Sequence, residues 1–258
     1  MEKPYAGKAA LITGSSRGIG RALAIQLAQG GAAVAINFRR RPQEAHEVAE
    51  EVRQRYHGQA IVCQADMEKP EEIRNMVQQA GEAFGKLDIF VANAAATAFK
   101  PLPDVKIHNI HRTMAITIDG FIVGVQEAIR WMTPGARIVA VSGFDSTYVI
   151  PRHGVLGPAK AALESLVRYW AIELSDREIL VNAVCPGIVE TDSAKLYTGS
   201  NWEIVQERVH KVVPLKRMAT PSDVAAAIEF FCSKASSYIT GQTMVVDGGL
   251  TLRSPLEF

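Results

Sequence analysis

An α/β fold built on one doubly wound parallel sheet is what the sequence predicts, from three observations. Short β-branched runs alternate with amphipathic stretches, a glycine-rich turn joins the first run to the first stretch, and no linker or internal repeat divides the 258 residues. The strands are expected at residues 9–13, 33–38, 60–64, 87–92, 136–142, 180–185 and 244–247. Helical periodicity fills the intervals at 18–29, 42–56 and 70–84, within 105–132, at about 157–175 and at 222–233. Residues 185 to about 200 read as irregular, and a short tail begins at Thr251. Parallel neighbours need crossover connections, and those helices cover both faces of the sheet. The expectation is a single domain over 1–258, with a seven-stranded sheet flanked by helices. A mobile lid is expected at about 190–215, where Leu196, Tyr197 and Trp202 stand amid Gly199-Ser200-Asn201.

The charge balance is 28 Lys+Arg against 27 Asp+Glu, a net +1, which carries no electrostatic footprint for nucleic acid or an anionic membrane. No apolar run approaches the roughly 18 residues of a transmembrane helix. The N-terminal stretch lacks the basic and apolar regions of a signal peptide, so a cytoplasmic protein is expected. Cys63, Cys185 and Cys232 are scattered and odd in number, which argues against disulfides and zinc. His46, His57, His108, His111 and His210 have no metal-ligand spacing, and no metal is expected.

The segment Thr13-Gly14-Ser15-Ser16-Arg17-Gly18-Ile19-Gly20 lies between the first strand and the first helix, where a glycine turn lets a pyrophosphate approach a helix N-terminus. A Rossmann-type dinucleotide site is the leading reading, with a structural turn as its alternative. The second strand ends in Asn37-Phe38-Arg39-Arg40-Arg41, without the acidic residue that would bond a ribose 2′-hydroxyl. Arg17, Arg39 and Arg40 could instead clamp a 2′-phosphate with forked hydrogen bonds, so NADP(H) is expected over NAD(H). A solvated basic turn is the plainer reading of the same residues.

The glycine loop, Asp66, Asn93-Ala94-Ala95, Lys160 and Pro186-Gly187-Ile188-Val189-Glu190-Thr191 together resemble the short-chain dehydrogenase/reductase family. The stretches Ala159-Lys160-Ala161-Ala162-Leu163-Glu164, Ile179 to Val184 and Gly241 to Gly249 most resemble enoyl-acyl-carrier-protein reductase III and the 3-oxoacyl reductases. The resemblance implies that Asp66 and Met67 meet the adenine, that Asn93, Ala94 and Ala95 pack under the adenosine ribose, and that Lys160 holds the nicotinamide ribose. It also places the backbone of Pro186, Gly187, Ile188, Val189 and Thr191 near the carboxamide. Ala95 stands where a glycine is usual. A homo-oligomer, a tetramer, is implied through the Lys160 helix and the last strand, with Leu163, Leu166, Val167 and Trp170 as an apolar stripe.

The catalytic positions depart from the family. Its tyrosine, four residues before the lysine, is Leu156; its serine, thirteen residues before that, is Gly143; and its helix asparagine aligns with Thr117. In the enoyl-reductase register, seven residues before the lysine, stands His153. Reduction of a ketone produces an alkoxide that must be protonated, which leucine cannot do. Conjugate reduction of an enone or enoyl thioester needs mainly a donor to the enolate oxygen, and His153 could be that donor. Tyr148 and Ser142 are the other hydroxyl candidates, and Cys185 reads as packing. Phe99, Phe144, Tyr148, Leu156, Ile188 and Trp202 would enclose a largely apolar small-molecule or carrier-bound acyl substrate. Two function classes follow: an NADPH-dependent reductase of a conjugated C=C, or the same fold turned to isomerase, cyclase, dehydratase or nucleotide-sensing work.

Overall fold

The computed structural model describes residues 3–252. Its strands are β1 (Ala9–Ile12), β2 (Ala33–Phe38), β3 (Ala60–Gln64), β4 (Ile89–Ala92), β5 (Arg137–Val141), β6 (Leu180–Pro186) and β7 (Thr243–Val246). They form one seven-stranded sheet in the order β3-β2-β1-β4-β5-β6-β7, with every pairing parallel. The central strands are covered on both faces, which is why they read as unbroken apolar runs rather than alternating ones; all four residues of β1 are buried. Ile12 is in register with Ile36 on one side and Val91 on the other, so the strand order reverses at β1. A crevice opens at the carboxyl ends of such a switch point.

One face is packed by α1 (Gly18–Gln29), α2 (Pro42–Tyr56) and α9 (Pro221–Cys232), whose Leu23, Leu27, Val48, Val52, Ile228 and Phe231 share a core with Val34 and Val139. The opposite face is packed by α3 (Pro70–Phe84), α5 (Gly120–Ala128) and α6 (Leu156–Glu173), around Phe90, Phe121, Leu163 and Val167. Prolines open α2, α3 and α9 at their first turns, where the missing N–H has no intrahelical partner to lose.

Two expectations need correction. The long helix expected within 105–132 is divided into α4 (Ile107–Met114) and α5 by a π turn at Ala115–Asp119. The β-branched run Ile116-Thr117-Ile118 crowds a helical turn, Thr113 Oγ1 donates back to the Asn109 carbonyl at 2.9 Å, and Gly120 draws the chain against Met67. The segment read as irregular contains α7 (Asp192–Thr198), started by Thr191, whose hydroxyl accepts the Ala194 N–H at 3.1 Å. It is followed by α8 (Trp202–Val212). These helices occupy the expected lid, where Trp202 and Val205 pack with Ile188 and Leu250 around a small core of Val209, Val213 and Met218. The side chains of Leu196 and Tyr197 lie outside the described residues.

Candidate active site

The glycine turn is shaped from both sides by asparagines. Gly14 and Gly18 take positive φ, +63° and +57°, a region open to glycine. A Cβ on Gly20 would stand 2.6 Å from the Gly14 carbonyl oxygen and 2.7 Å from Asn93 Nδ2, so only glycine lets α1 begin this close to the turn. The buried Asn37 accepts the Gly14 N–H at 2.8 Å and donates to the Cys63 and Ala65 carbonyls at 3.3 and 3.4 Å. Asn93 donates to the carbonyls of Thr13 and Gly14 at 2.9 and 3.0 Å, while Thr13 Oγ1 accepts the N–H groups of Asn93 and Ala94, both at 3.0 Å. Asn37 and Asn93, both expected near the cofactor, brace the loop with their amides, because a buried amide must satisfy its own donors and acceptor. Ile19 packs into the core, Ser16 is half-buried, and Arg17 precedes α1 without a side-chain cap, which leaves the first N–H groups of the helix for a ligand.

The arginines are not equivalent. Arg39 lies 3.7 Å from Asp66 Oδ2 and 3.4 Å from Glu68 Oε1, and Glu68 also accepts from Arg112 Nε at 2.6 Å. The expectation that no carboxylate flanks this corner is therefore wrong: two do, brought in from the loop after β3. Arg41 pairs with Glu44 at 2.6 Å, whereas Arg40 is exposed and has no ion pair or hydrogen bond among the described residues. Arg17 Nη1 is buried with no hydrogen-bond partner. Arg17 and Arg41 line an open cleft of about 440 Å³ with Asp192, Lys195 and Gly199, a contribution from α7 that the sequence reading missed.

Met67 is buried against Gly120, Asp66 is half-buried, and Ala95 is exposed beyond the end of β4. Beyond β6, Gly187 approaches Asp247 so closely that a Cβ would stand 2.8 Å from its Cα. The following residues are tied back by Ala219, which donates to the Ile188 carbonyl at 2.9 Å and accepts from Glu190 at 2.8 Å. Val189 is buried, and a Cβ on Gly18 would reach Thr191 Cγ2 at 3.7 Å, so the glycine turn and the Pro186-to-Thr191 loop face each other across the crevice.

Lys160 stands on the second turn of α6 and is only 5% exposed. Its ammonium donates to the Val141 carbonyl at 2.6 Å, and burial lowers its pKa from the ordinary 10.5 to about 8, with Asp145 among the groups that pull it partly back. A cavity of about 10 Å³, near the smallest that holds one water, joins Lys160 to Thr13 and to Thr117 in the π turn. Thr117 Oγ1 is buried there without a hydrogen-bond partner.

The candidate donors separate. Ser142 is buried and donates to Glu164 Oε1 at 2.5 Å, so its hydroxyl is engaged within α6. Tyr148 is 48% exposed and its hydroxyl donates to the Thr251 carbonyl, away from Lys160, because the Pro151-to-Gly154 stretch does not fold it inward. Cys185 is buried and its thiol pKa is pushed up to about 12, first by that burial, so it is an inert packing residue. His153 is 15% exposed at its side chain; its Nδ1 lies 2.9 Å from Asp145 Oδ2 and its ring centroid 4.8 Å from that of Phe99. The structure thus brings His153, Lys160 and Asp145 together, and Asp145 is the member that sequence reasoning overlooked. Among the described residues no cluster of His, Cys, Asp and Glu is arranged to hold a metal, and no helix is long and apolar enough to cross a membrane.

Comparison with known proteins agrees with this fold. A family model described as enoyl-(acyl carrier protein) reductase matches residues 14–251. A 1-cyclohexenylcarbonyl-CoA reductase of Streptomyces collinus is 39% identical over 248 residues, 96% of this chain and 88% of that protein. Versicolorin reductase of Emericella nidulans is 35% identical over 252 residues, covering 94% of this chain and 95% of its own length. A Burkholderia cenocepacia short chain dehydrogenase, crystallised in complex with NADP, superposes with a TM-score of 0.90 at 33% identity over 96% of this chain and 99% of that one. These two relatives are reductases, the fold is shared with the Burkholderia cenocepacia enzyme over nearly the whole chain, and the chain belongs to the short-chain dehydrogenase/reductase family of oxidoreductases.

Proposed function

We propose that the protein is an NADPH-dependent reductase of a conjugated C=C bond in an enone or enoyl thioester. The observation that carries this reading is the imidazole of His153, bonded to Asp145 at the start of α6, with a leucine and a glycine at the positions that the resemblance assigns to the family's tyrosine and serine. The residues present suit a nicotinamide dinucleotide: a buried guanidinium nitrogen of Arg17 lacks a partner beside an uncapped helix N-terminus, as an anion site requires. Gly14 to Gly20 would hold the pyrophosphate, Arg17 and Arg40 the 2′-phosphate, Asp66 and Met67 the adenine edge, and Lys160 the nicotinamide ribose. When bound, the reduced cofactor supplies a hydride to the β-carbon of the conjugated system.

His153 then donates an N–H to the carbonyl oxygen as the former π pair moves onto it. The N–H stays on nitrogen, and water protonates the α-carbon as the carbonyl re-forms. Phe99, Ile188 and Trp202 provide apolar surface on the substrate side, consistent with a hydrophobic acyl group, and α7 and α8 act as its lid. The relation to the Streptomyces collinus enzyme, named for an unsaturated acyl-CoA, supports this choice of substrate class. The direct test is turnover of an enoyl thioester or an enone with NADPH. If NADPH binds but no such substrate is reduced, a non-redox use of the fold becomes the better account.

Cofactor choice gives a separate expectation. In calorimetric titrations NADPH should bind more tightly than NADH by roughly 1.5–3 kcal/mol, the size of a charged hydrogen bond. Because Arg39 is neutralised by Asp66 and Glu68, Arg17→Ala or Arg40→Ala should erase more of that preference than Arg39→Ala. Equal affinities for the two nucleotides in the wild type would remove the claim.

The assembly is proposed to be a tetramer. Leu163 and Val167, expected on the shared face, belong to the core, but Tyr169 and Ile172 of α6 and Val245 of the edge strand β7 are exposed. An uncovered edge strand beside apolar side chains is a surface that proteins ordinarily pair or cover. Light scattering at micromolar concentration should give about four chain masses, and a monomer mass would refute the assignment.

A further inference from the structure

We propose that Asp145 is a positioning residue, and that an Asp145–His153 pair stands where the family keeps its serine and tyrosine. The inference rests on the reading of His153 as oxyanion donor and adds the group that orients it. It is carried by how the chain makes room for the carboxylate. Gly143, the position of the missing serine, is extended, and the short turn Phe144–Ser146 folds Asp145 back over it. A Cβ on Gly143 would stand 2.6 Å from Asp145 Oδ1, so any side chain there, serine included, would compete for the space the carboxylate fills. On the other side, a Cβ on Gly157 would stand 2.4 Å from the Asp145 carbonyl oxygen, which only a glycine in the first turn of α6 avoids. A side chain at residue 143 and the carboxylate in its present place thus compete for one space.

Inside this pocket the Asp145 side chain is 6% exposed and lies 2.9 Å from His153 Nδ1. An ionised carboxylate can only accept, so the bond fixes a proton on Nδ1. The proposed role needs both ring N–H groups: Nδ1–H given to Asp145 and Nε2–H presented to the enolate oxygen, an imidazolium beside a carboxylate. The tilted contact with the Phe99 ring further restrains the imidazole. A partner that orients a histidine in this way commonly contributes 10- to 100-fold, by analogy with the outer-shell partners of metal-bound histidines, a figure of about that order here.

The test uses the full chain and begins without cofactor. Long-range ¹H–¹⁵N correlation spectra at neutral pH should show His153 with a protonated Nδ1 in the wild type, and a changed ring pattern in Asp145→Asn. Gly143→Ala, whose backbone conformation suits alanine, should produce the same spectral change by displacing the carboxylate, which guards against a variant that merely misfolds. With an enoyl thioester and NADPH, Asp145→Asn should lower kcat by about 10- to 100-fold with KM for NADPH within about twofold, and should have no further effect in a His153→Ala background. Unchanged ring signals in both variants, or an Asp145→Asn loss that persists undiminished without His153, would overturn the pairing. A His153→Ala variant with wild-type turnover would instead remove the donor reading on which it rests, while leaving the spectral result to stand for the pair itself.

Discussion

His153→Ala should lower turnover of a conjugated enone or enoyl thioester by roughly 10²–10³, the usual effect of deleting one donor to a developing oxyanion. NADPH affinity should hardly change, because the imidazole is proposed to meet the carbonyl oxygen of the substrate and not the nucleotide. Tyr148→Phe should have almost no effect, since the tyrosine hydroxyl is exposed and bonded to the Thr251 carbonyl. The two variants therefore divide the candidate donors cleanly in steady-state kinetics. The same argument sets the substrate preference. An alkoxide from a saturated ketone must be protonated on oxygen inside the site, whereas an enolate can be held by one N–H and protonated on carbon by water. If Leu156 and Gly143 stand at the family's tyrosine and serine positions, as the resemblance implies, ketone reduction should be weak or absent. Efficient reduction of a simple ketone, or equal losses in the two variants, would defeat this account.

The chain's architecture was legible because its signals are local. The β-branched runs, the proline-led helices and the glycine turn after β1 each act within a few residues, so their periods and breakers are visible in order. The capping threonine of α7 was also visible, in Thr191-Asp192 ahead of Ser193-Ala194-Lys195, though its flexible-looking neighbours hid it. What escaped was set by distant partners. The bracing role of Asn37 is invisible until Gly14 and Ala65 are seen to surround its amide. Arg39 resembles a free phosphate ligand until Glu68 closes on it from the next loop. Asp145 carries no motif; the space around it is bounded by Gly143, which reads as a gap in a family pattern, and by Gly157, which a linear reading does not single out. Residues whose role depends on space left by others are the least visible in a linear reading.

The second large effect concerns Lys160, where function and stability should move in opposite directions. Lys160→Met should reduce reductase turnover by at least about 100-fold, since it removes the group proposed to orient the nicotinamide ribose. The same change should raise the melting temperature of the cofactor-free protein. Burial holds the Lys160 pKa at about 8 instead of 10.5, so at neutral pH the fold carries a cation in an environment that disfavours it, at a cost on the order of 3 kcal/mol. Methionine fills a similar volume without that charge. It forfeits the hydrogen bond to the Val141 carbonyl and leaves Asp145 and Glu164 without their nearby cation, which offsets part of the gain, so a net rise on the order of 5 °C is expected. The pH dependence separates this cause from a general packing effect. Below about pH 8 the native and unfolded chains both bind the proton and the penalty is complete; between about 8 and 10.5 the unfolded chain binds a proton that the native chain has released, so wild-type stability gains relative to the variant as pH rises. Thermal unfolding of both proteins from pH 7 to 10 should therefore show the variant's advantage shrinking steadily. A variant that is less stable throughout, or an advantage that stays constant with pH, would mean that the buried ammonium is accommodated by its surroundings and that burial does not lower its pKa.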